Sequence, residues 1–255
     1  MKKTTFLKLL GDKFNKILNK FGYSAIFSFK SSGNPEYEVV NTPPIYAPWN
    51  VDKEFKELYK TIENHTLVDK YRCYELWQLI EQVKDIPGAL IEIGVWRGGS
   101  GALIAKKALL CGIKENVYLC DTFEGIVKTD KTKDSLYQNG AHSDTSVKIV
   151  EKLVYDKMKL ENIKILKGIF PEETKHMLQD NKFRFCHIDV DVYQSSRDIV
   201  DWIWDKISAG GIIVYDDYAN ELTVGMKKIV EEERKRKDCI IIYNLNGHAI
   251  EIKIS

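Results

Sequence analysis

The sequence predicts an α/β fold: a mostly parallel, Rossmann-like sheet closed by a C-terminal antiparallel hairpin, with an N-terminal helical extension ahead of it. Two observations carry this expectation. After Pro87-Gly88, short apolar runs alternate with helix-length amphipathic segments, the pattern of βαβ units around a parallel sheet. The last two apolar runs are instead joined by a short segment containing Asn246-Gly247, which is a hairpin signal.

Taken in order, Phe6, Leu9, Leu10, Ile17, Leu18 and Phe21 recur at helical spacing and predict an amphipathic helix over 4–21. It is expected to pack on its own domain or on a second subunit. The lysines along its polar side leave a membrane surface as the alternative. The same lysines interrupt the segment so often that no signal-peptide core forms, and no window is apolar enough to span a membrane. Residues 28–50 hold Ser, Gly, Asn and most of the prolines and read as a loop or linker. Residues 51–84 read as one or two helices, with Phe55, Leu58, Ile62, Leu76, Leu79, Ile80 and Val83 on apolar faces. The strand runs are ALIEI (89–93), VYLC (117–120), IKIL (163–166), FCHI (185–188) and GIIVY (211–215), and the hairpin is CIIIY (239–243) with AIEIKI (249–254). The expected division is an extension over 1–63, acting as lid or dimer contact, and one α/β domain over 64–255.

At 255 residues the chain can bury a core that needs no disulfide or metal staple. Hydrophobic residues make up 44% and charged residues 29%, and the net charge of +1 gives no electrostatic case for nucleic acid. Cys73, Cys111, Cys120, Cys186 and Cys239 are too scattered for a metal knuckle or a redox pair, and read as reduced residues of a cytoplasmic protein.

The run IEIGVWRGGSGALIA is an apolar strand, a glycine turn and a helix. Ligands of open α/β sheets bind outside the carboxyl ends of the strands, where this turn lies. Gly94 and the Gly98-Gly99 pair let the backbone approach a ligand. Ser100 and nearby amides at the helix start suit a carboxylate, and Glu92 can accept from an ammonium group. A ligand with both groups matches the amino-acid end of S-adenosylmethionine (SAM), whereas a dinucleotide fingerprint would need G-x-G-x-x-G. The alternative is a purely structural tight turn. The next strand ends in LCDTFEG, where Asp121 is placed to bind ribose hydroxyls or, with Thr122, to cap a helix.

CHIDVDVYQSS ends the fourth strand with Asp189 and Asp191, which point to the same face because they are two residues apart on a strand. GIIVYDDY ends the fifth with Asp216 and Asp217. Adjacent parallel strands would bring these acids to one sheet edge, where they repel one another unless a cation lies among them. Oxygen-only ligands suit Mg²⁺, Mn²⁺ or Ca²⁺, and Mg²⁺ is favoured. The alternative is that the acids cap helices or pair with Arg97, Arg184 or Arg197. Residues 126–145, polar and containing glycine, suit a lid, and His142 within it is either a solvated loop residue or an acceptor contact or base.

Together, E-x-G-x-x-x-G-x-S at Glu92–Ser100, DTFEG at 121–125, D-V-D-x-Y-x-S at 189–195, DDY at 216–218 and the GVWRGG stretch resemble the macrocin O-methyltransferase (TylF-like) family. The resemblance spans roughly residues 64–238 and implies a class I SAM-methyltransferase fold and methyl transfer to a sugar hydroxyl. It also implies that Asp189, Asp216 and Asp217 bind metal, and that Asp189 or Asp191 acts as base. HTLVDKYR (65–72) would fold over the cofactor, with Thr66 near the methionine carboxylate, and KGIFPEE (167–173) would flank the adenine. A small-molecule sugar acceptor, from a bacterial surface glycan or nucleotide-linked, and a homo-oligomer such as a dimer are the expected partners. Catechol-type methyltransferases are the alternative, but they place a lysine base where this chain has Val192. A non-catalytic partner protein of the same fold is disfavoured, because a scaffold has no need of the acid cluster.

Overall fold

The computed structural model describes residues 20, 36–37, 40, 45–134 and 137–255. The expected helix at 4–21 and most of the linker fall outside the described residues. The chain divides into two units, Met1–Ile45 and Tyr46–Ser255, and the second holds everything that follows. Residues 46–63, read from sequence as part of the extension, fall within the second unit.

Among the described residues, two α-helices precede the sheet, α1 (Lys53–Ile62) and α2 (Lys70–Gln82). Each starts at an aspartate that satisfies orphan amides. Asp52 accepts from Phe55 N at 2.9 Å, and Asp69 from Tyr71 N at 2.8 Å and Arg72 N at 3.2 Å. The expected apolar positions Phe55, Leu58, Ile62, Leu76 and Ile80 are buried.

The sheet has seven strands: β1 (Ala89–Ile93), β2 (Val117–Asp121), β3 (Ile163–Lys167), β4 (Phe183–Ile188), β5 (Ile207–Tyr215), β6 (Cys239–Tyr243) and β7 (Ala249–Lys253). Their order is β3-β2-β1-β4-β5-β7-β6. The first five are parallel; β7 runs antiparallel to both β5 and β6. The helices between them are α3 (Gly99–Leu110), a short α4 (Val147–Glu151) that continues as a π-turn to Lys157, α5 (Tyr193–Ile203) and α6 (Val224–Glu233). β1 and β4 are buried along their whole length, as central strands of a two-sided sheet must be. Alternate strand residues feed two apolar layers. Leu90, Phe185 and Val214 join α1, α2 and α3 on one face, while Ile91, Cys186 and Ile213 join α5 and α6 on the other.

β4 and β5 both begin earlier than the apolar runs indicate. Arg184 hides the start of β4 because a cation reads as a break. Its buried guanidinium is satisfied by the Lys84 carbonyl at 2.6 Å and by Glu115 at 2.8 Å. The start of β5 is hidden by Gly210-Gly211, where the pairing with β4 shifts register. Strand order reverses between β1 and β4, so a crevice opens at their carboxyl ends.

Candidate active site

The turn after β1 needs its first glycine twice over. Gly94 has φ +87°, and a Cβ there would lie 1.8 Å from the Asp189 carbonyl oxygen. The chain then enters α3 through Gly98, and the segment before α2 docks on the helix start: Gly99 N donates to the His65 carbonyl at 2.8 Å. Asp121, at the end of β2, braces the turn. Its Oδ2 accepts from Val95 N at 2.7 Å and Trp96 N at 2.9 Å, and its Oδ1 from Phe123 N at 2.6 Å.

One cavity lies over this turn. Thr66, Gly94, Ser100 and Asp121 line it, together with Gly168, Ile169 and Phe170 of the KGIFPEE stretch. Gly98 and Glu92 do not. Glu92 is fully buried, and its Oε1 lies 2.9 Å from His187 Nδ1. The expected ammonium acceptor therefore sits beneath the cavity rather than in its wall, because the side chain at that strand position points into the helix-covered face. Burial pushes its carboxyl up.

The same cavity reaches the acids: Asp189, Asp191, Asp216 and Asp217 all line it. Carboxylate oxygens of Asp189, Asp191 and Asp217 lie within 4.8 Å of one another. The shared-face reading of Asp189 and Asp191 needs correction. β4 ends at Ile188, and Asp191 has φ +64°, so a turn rather than strand alternation brings it back to Asp189. Asp189 N donates to the Ile93 carbonyl at 2.9 Å and Asp216 N to the Ile188 carbonyl at 3.0 Å, which fixes three neighbouring strand ends in register. Burial pushes the Asp189 carboxyl well up, with the Asp216 and Asp217 charges adding to it. Burial and the Asp217 charge push Asp191 up to about 9. Asp217 is raised by burial and by Asp216.

Asp216 differs. His248 Nε2 lies 2.7 Å from its Oδ1 and His187 Nε2 3.6 Å away, and Arg72 Nη1 donates to Oδ2. Burial opposes its charge, but the two imidazoles and the guanidinium outweigh burial and hold the carboxyl well below the usual range. His187 is raised to about 10, since Asp216 and Glu92 overcome the burial that opposes its charge. His248 Nδ1 lies 2.5 Å from Glu75 Oε2, which also accepts from Asn246 Nδ2 at 3.0 Å.

Sequence reasoning missed Arg72, Glu75, His187 and His248. Arg97, Arg184 and Arg197, the cations weighed as partners for the acids, bind Asp144, Glu115 and the Asp201–Glu233 pair instead. His187 was legible as an imidazole inside a strand with acids on both neighbouring strand ends; His248, after a turn, carried no such signal. His142 and Tyr137, with ring centroids 5.4 Å apart, line the cavity opposite the glycine turn.

A glycine turn after the first strand, braced by the acid of the second and opening on strand-end carboxylates in this sheet order, defines a class I SAM-dependent O-methyltransferase. The family described as Macrocin-O-methyltransferase (TylF) matches residues 52–241, and the chain belongs to it. It is similar to demethyldecarbamoylnovobiocin O-methyltransferase of Streptomyces niveus, with 27% identity over 185 residues, 68% of this chain and 69% of that one. It is also similar to 8-demethyl-8-(2,3-dimethoxy-alpha-L-rhamnosyl)-tetracenomycin-C 4'-O-methyltransferase of Streptomyces olivaceus, with 27% identity over 165 residues, 61% of this chain and 63% of that one. Among solved structures it resembles the O-methyltransferase NovP at 23% identity and TM-score 0.66, covering 75% of this chain and 83% of that one.

Proposed function

We propose that this enzyme moves the methyl group of SAM to a sugar hydroxyl, with a divalent cation held by Asp189, Asp216 and Asp217 and with Asp191 as proton acceptor. The observation that carries the reading is that one cavity joins the glycine turn to the acid cluster. On the cofactor side, Thr66, Gly94, Ser100 and Asp121 face the ligand, and Gly98 and Glu92 shape the turn from behind. The sugar acceptor is supported by the rhamnosyl-bearing substrate in the name of the Streptomyces olivaceus relative. A surface glycan is the favoured source of that sugar, because the Lys-, Ile- and Asn-rich composition suits a bacterium with an AT-rich genome.

The donor set fits a hard cation. Asp189, Asp191 and Asp217 share a pocket in which burial raises the proton affinity of each, beside Asp216, which stays ionised. A Mg²⁺ ion bound there would lower the pKa of the acceptor hydroxyl and orient it. The chain's own residues do the rest. Asp191 sits on a turn and lines the cavity together with Tyr137. Kept ionised by a bound cation, it would take the proton of the attacking hydroxyl. The glycine turn, braced by Asp121, fixes the sulfonium so that oxygen, methyl carbon and sulfur align. Ile126, Val127, Tyr137 and His142, which line the cavity, keep water from the reacting atoms.

A catechol acceptor is disfavoured: Val192 is fully buried, and no lysine lines the cavity among the described residues. Incubation with methyl-labelled SAM and a panel of free glycosides, nucleotide sugars and catechols tests the reading. Label on a sugar hydroxyl is expected. Transfer confined to catechols, or none to any acceptor by folded SAM-binding protein, contradicts it.

A further inference from the structure

We propose that Arg72 is a positioning residue that ties the segment covering the cofactor to the acid cluster, and that its charge competes with the cation for that cluster. The proposal rests on the metal reading above. Arg72 is one turn into α2, directly after the segment that carries His65 and Thr66. Its side chain is only 16% exposed and lines the cavity. Nη1 donates to Asp216 Oδ2, lies 3.5 Å from the Asp216 carbonyl oxygen and 3.8 Å from Asp217 Oδ1. Nε donates to Asp69 Oδ2 at 2.8 Å, the same aspartate that caps α2.

The segment 65–72 is therefore pinned at both ends. At one end the His65 carbonyl accepts from Gly99 N, so closely that a Cβ on Gly99 would lie 2.7 Å from it. At the other end the Arg72 fork grips the last residues of β5's carboxyl end. Thr66 and Leu67, between the two pins, wall the cavity. A guanidinium is planar and presents several donors in fixed directions, which lets one side chain hold Asp69 and Asp216 together. The same guanidinium places a full positive charge against two of the carboxylates proposed for the cation. Arg72 therefore supports cofactor binding and opposes metal binding. A residue that merely stabilised the fold would not move the two affinities in opposite directions.

The test is calorimetric titration of the full chain with Mn²⁺ and, separately, with S-adenosylhomocysteine, for wild type, Arg72→Met and Arg72→Lys. Thermal unfolding of each protein is recorded alongside. Arg72→Met is expected to bind Mn²⁺ about ten-fold more tightly, because the competing charge is gone. It should bind S-adenosylhomocysteine about ten-fold more weakly, because a charge-assisted anchor of the covering segment is lost. Arg72→Lys keeps the charge and should hold the wild-type metal affinity while recovering part of the cofactor affinity. If Arg72→Met does not fold, Arg72→Gln takes its place with the same expectation. Both affinities falling together, or neither changing, overturns the proposal. A wild type that takes up no divalent ion overturns the metal reading and this proposal with it; uptake without opposed shifts overturns this proposal alone.

Discussion

At the scale of single residues, the four aspartates divide by environment. Asp216 is held ionised by His187, His248 and Arg72, while Asp189, Asp191 and Asp217 face one another across a shared pocket. Replacing Asp189 with Asn keeps its size and removes its charge. Turnover should fall steeply because a proposed cation ligand is lost, whereas Asp191→Asn, which removes the proposed proton acceptor, should cost on the order of 10²–10⁴-fold. The Asp189→Asn variant should stay folded and bind S-adenosylhomocysteine as before. Loss of folding would instead mark the cluster as structural.

The pH dependence of stability has a definite sign. Asp191, raised to about 9, holds a proton in the folded state that the unfolded chain has already released. Its contribution is full below the ordinary carboxylate value near ~3.9, and it is lost as pH rises towards about 9. Asp189 and Asp217 act in the same direction, as does His187, raised to about 10. Asp216, held low, gives stability that is lost only in strong acid. Metal-free protein should therefore unfold at a lower temperature at pH 8.5 than at pH 6, and Asp191→Asn or added Mg²⁺ should reduce that difference. A stability that rises over this range would contradict the account. The acids themselves were legible because two pairs at successive strand ends exceed what capping requires. Their partners were not, because Arg72 and His248 come from α2 and the C-terminal hairpin, distant in sequence and brought to Asp216 only by the docking of α2 and the pairing of β7 with β5.

At the scale of elements, the site depends on close backbone approach. Gly99→Ala should displace His65 and Thr66 and weaken S-adenosylhomocysteine binding, with a smaller effect on stability, since Gly99 opens α3 without a positive φ and alanine suits a helix. Gly94→Ala should be far worse. A Cβ 1.8 Å from the Asp189 carbonyl, at φ +87°, forces the ends of β1 and β4 apart. A destabilisation of about 3 kcal/mol or more is expected from strain and overpacking. Chemical denaturation of both variants checks the ranking, and equal stabilities would contradict it. The strand cores and the hairpin were readable from apolar runs and Asn246-Gly247. The early starts of β4 and β5 were not, because a buried, fully paired arginine and a glycine pair look like loop in sequence.

At the scale of the molecule, the strand order brings the glycine turn and the acid cluster to one switch point. Residues 46–255 form a unit of their own and should fold and bind S-adenosylhomocysteine after residues 1–45 are trimmed; an insoluble product would contradict this. Ile240 and Ile242 stand exposed on the edge strand β6, and we propose this edge as a place where a homo-oligomer would pair. Light scattering of full-length and trimmed chains decides whether it forms and whether residues 1–45 contribute. No helix among the described residues is long and apolar enough to cross a membrane. The five cysteines are unpaired.

The most direct test of the whole is methyl transfer from labelled SAM to a glycoside acceptor, measured before chelation, after it, and after Mg²⁺ is restored. The account predicts label on a sugar hydroxyl, its loss on chelation with the protein still folded and still binding S-adenosylhomocysteine, and its return with Mg²⁺. Undiminished transfer by the metal-free enzyme would contradict it.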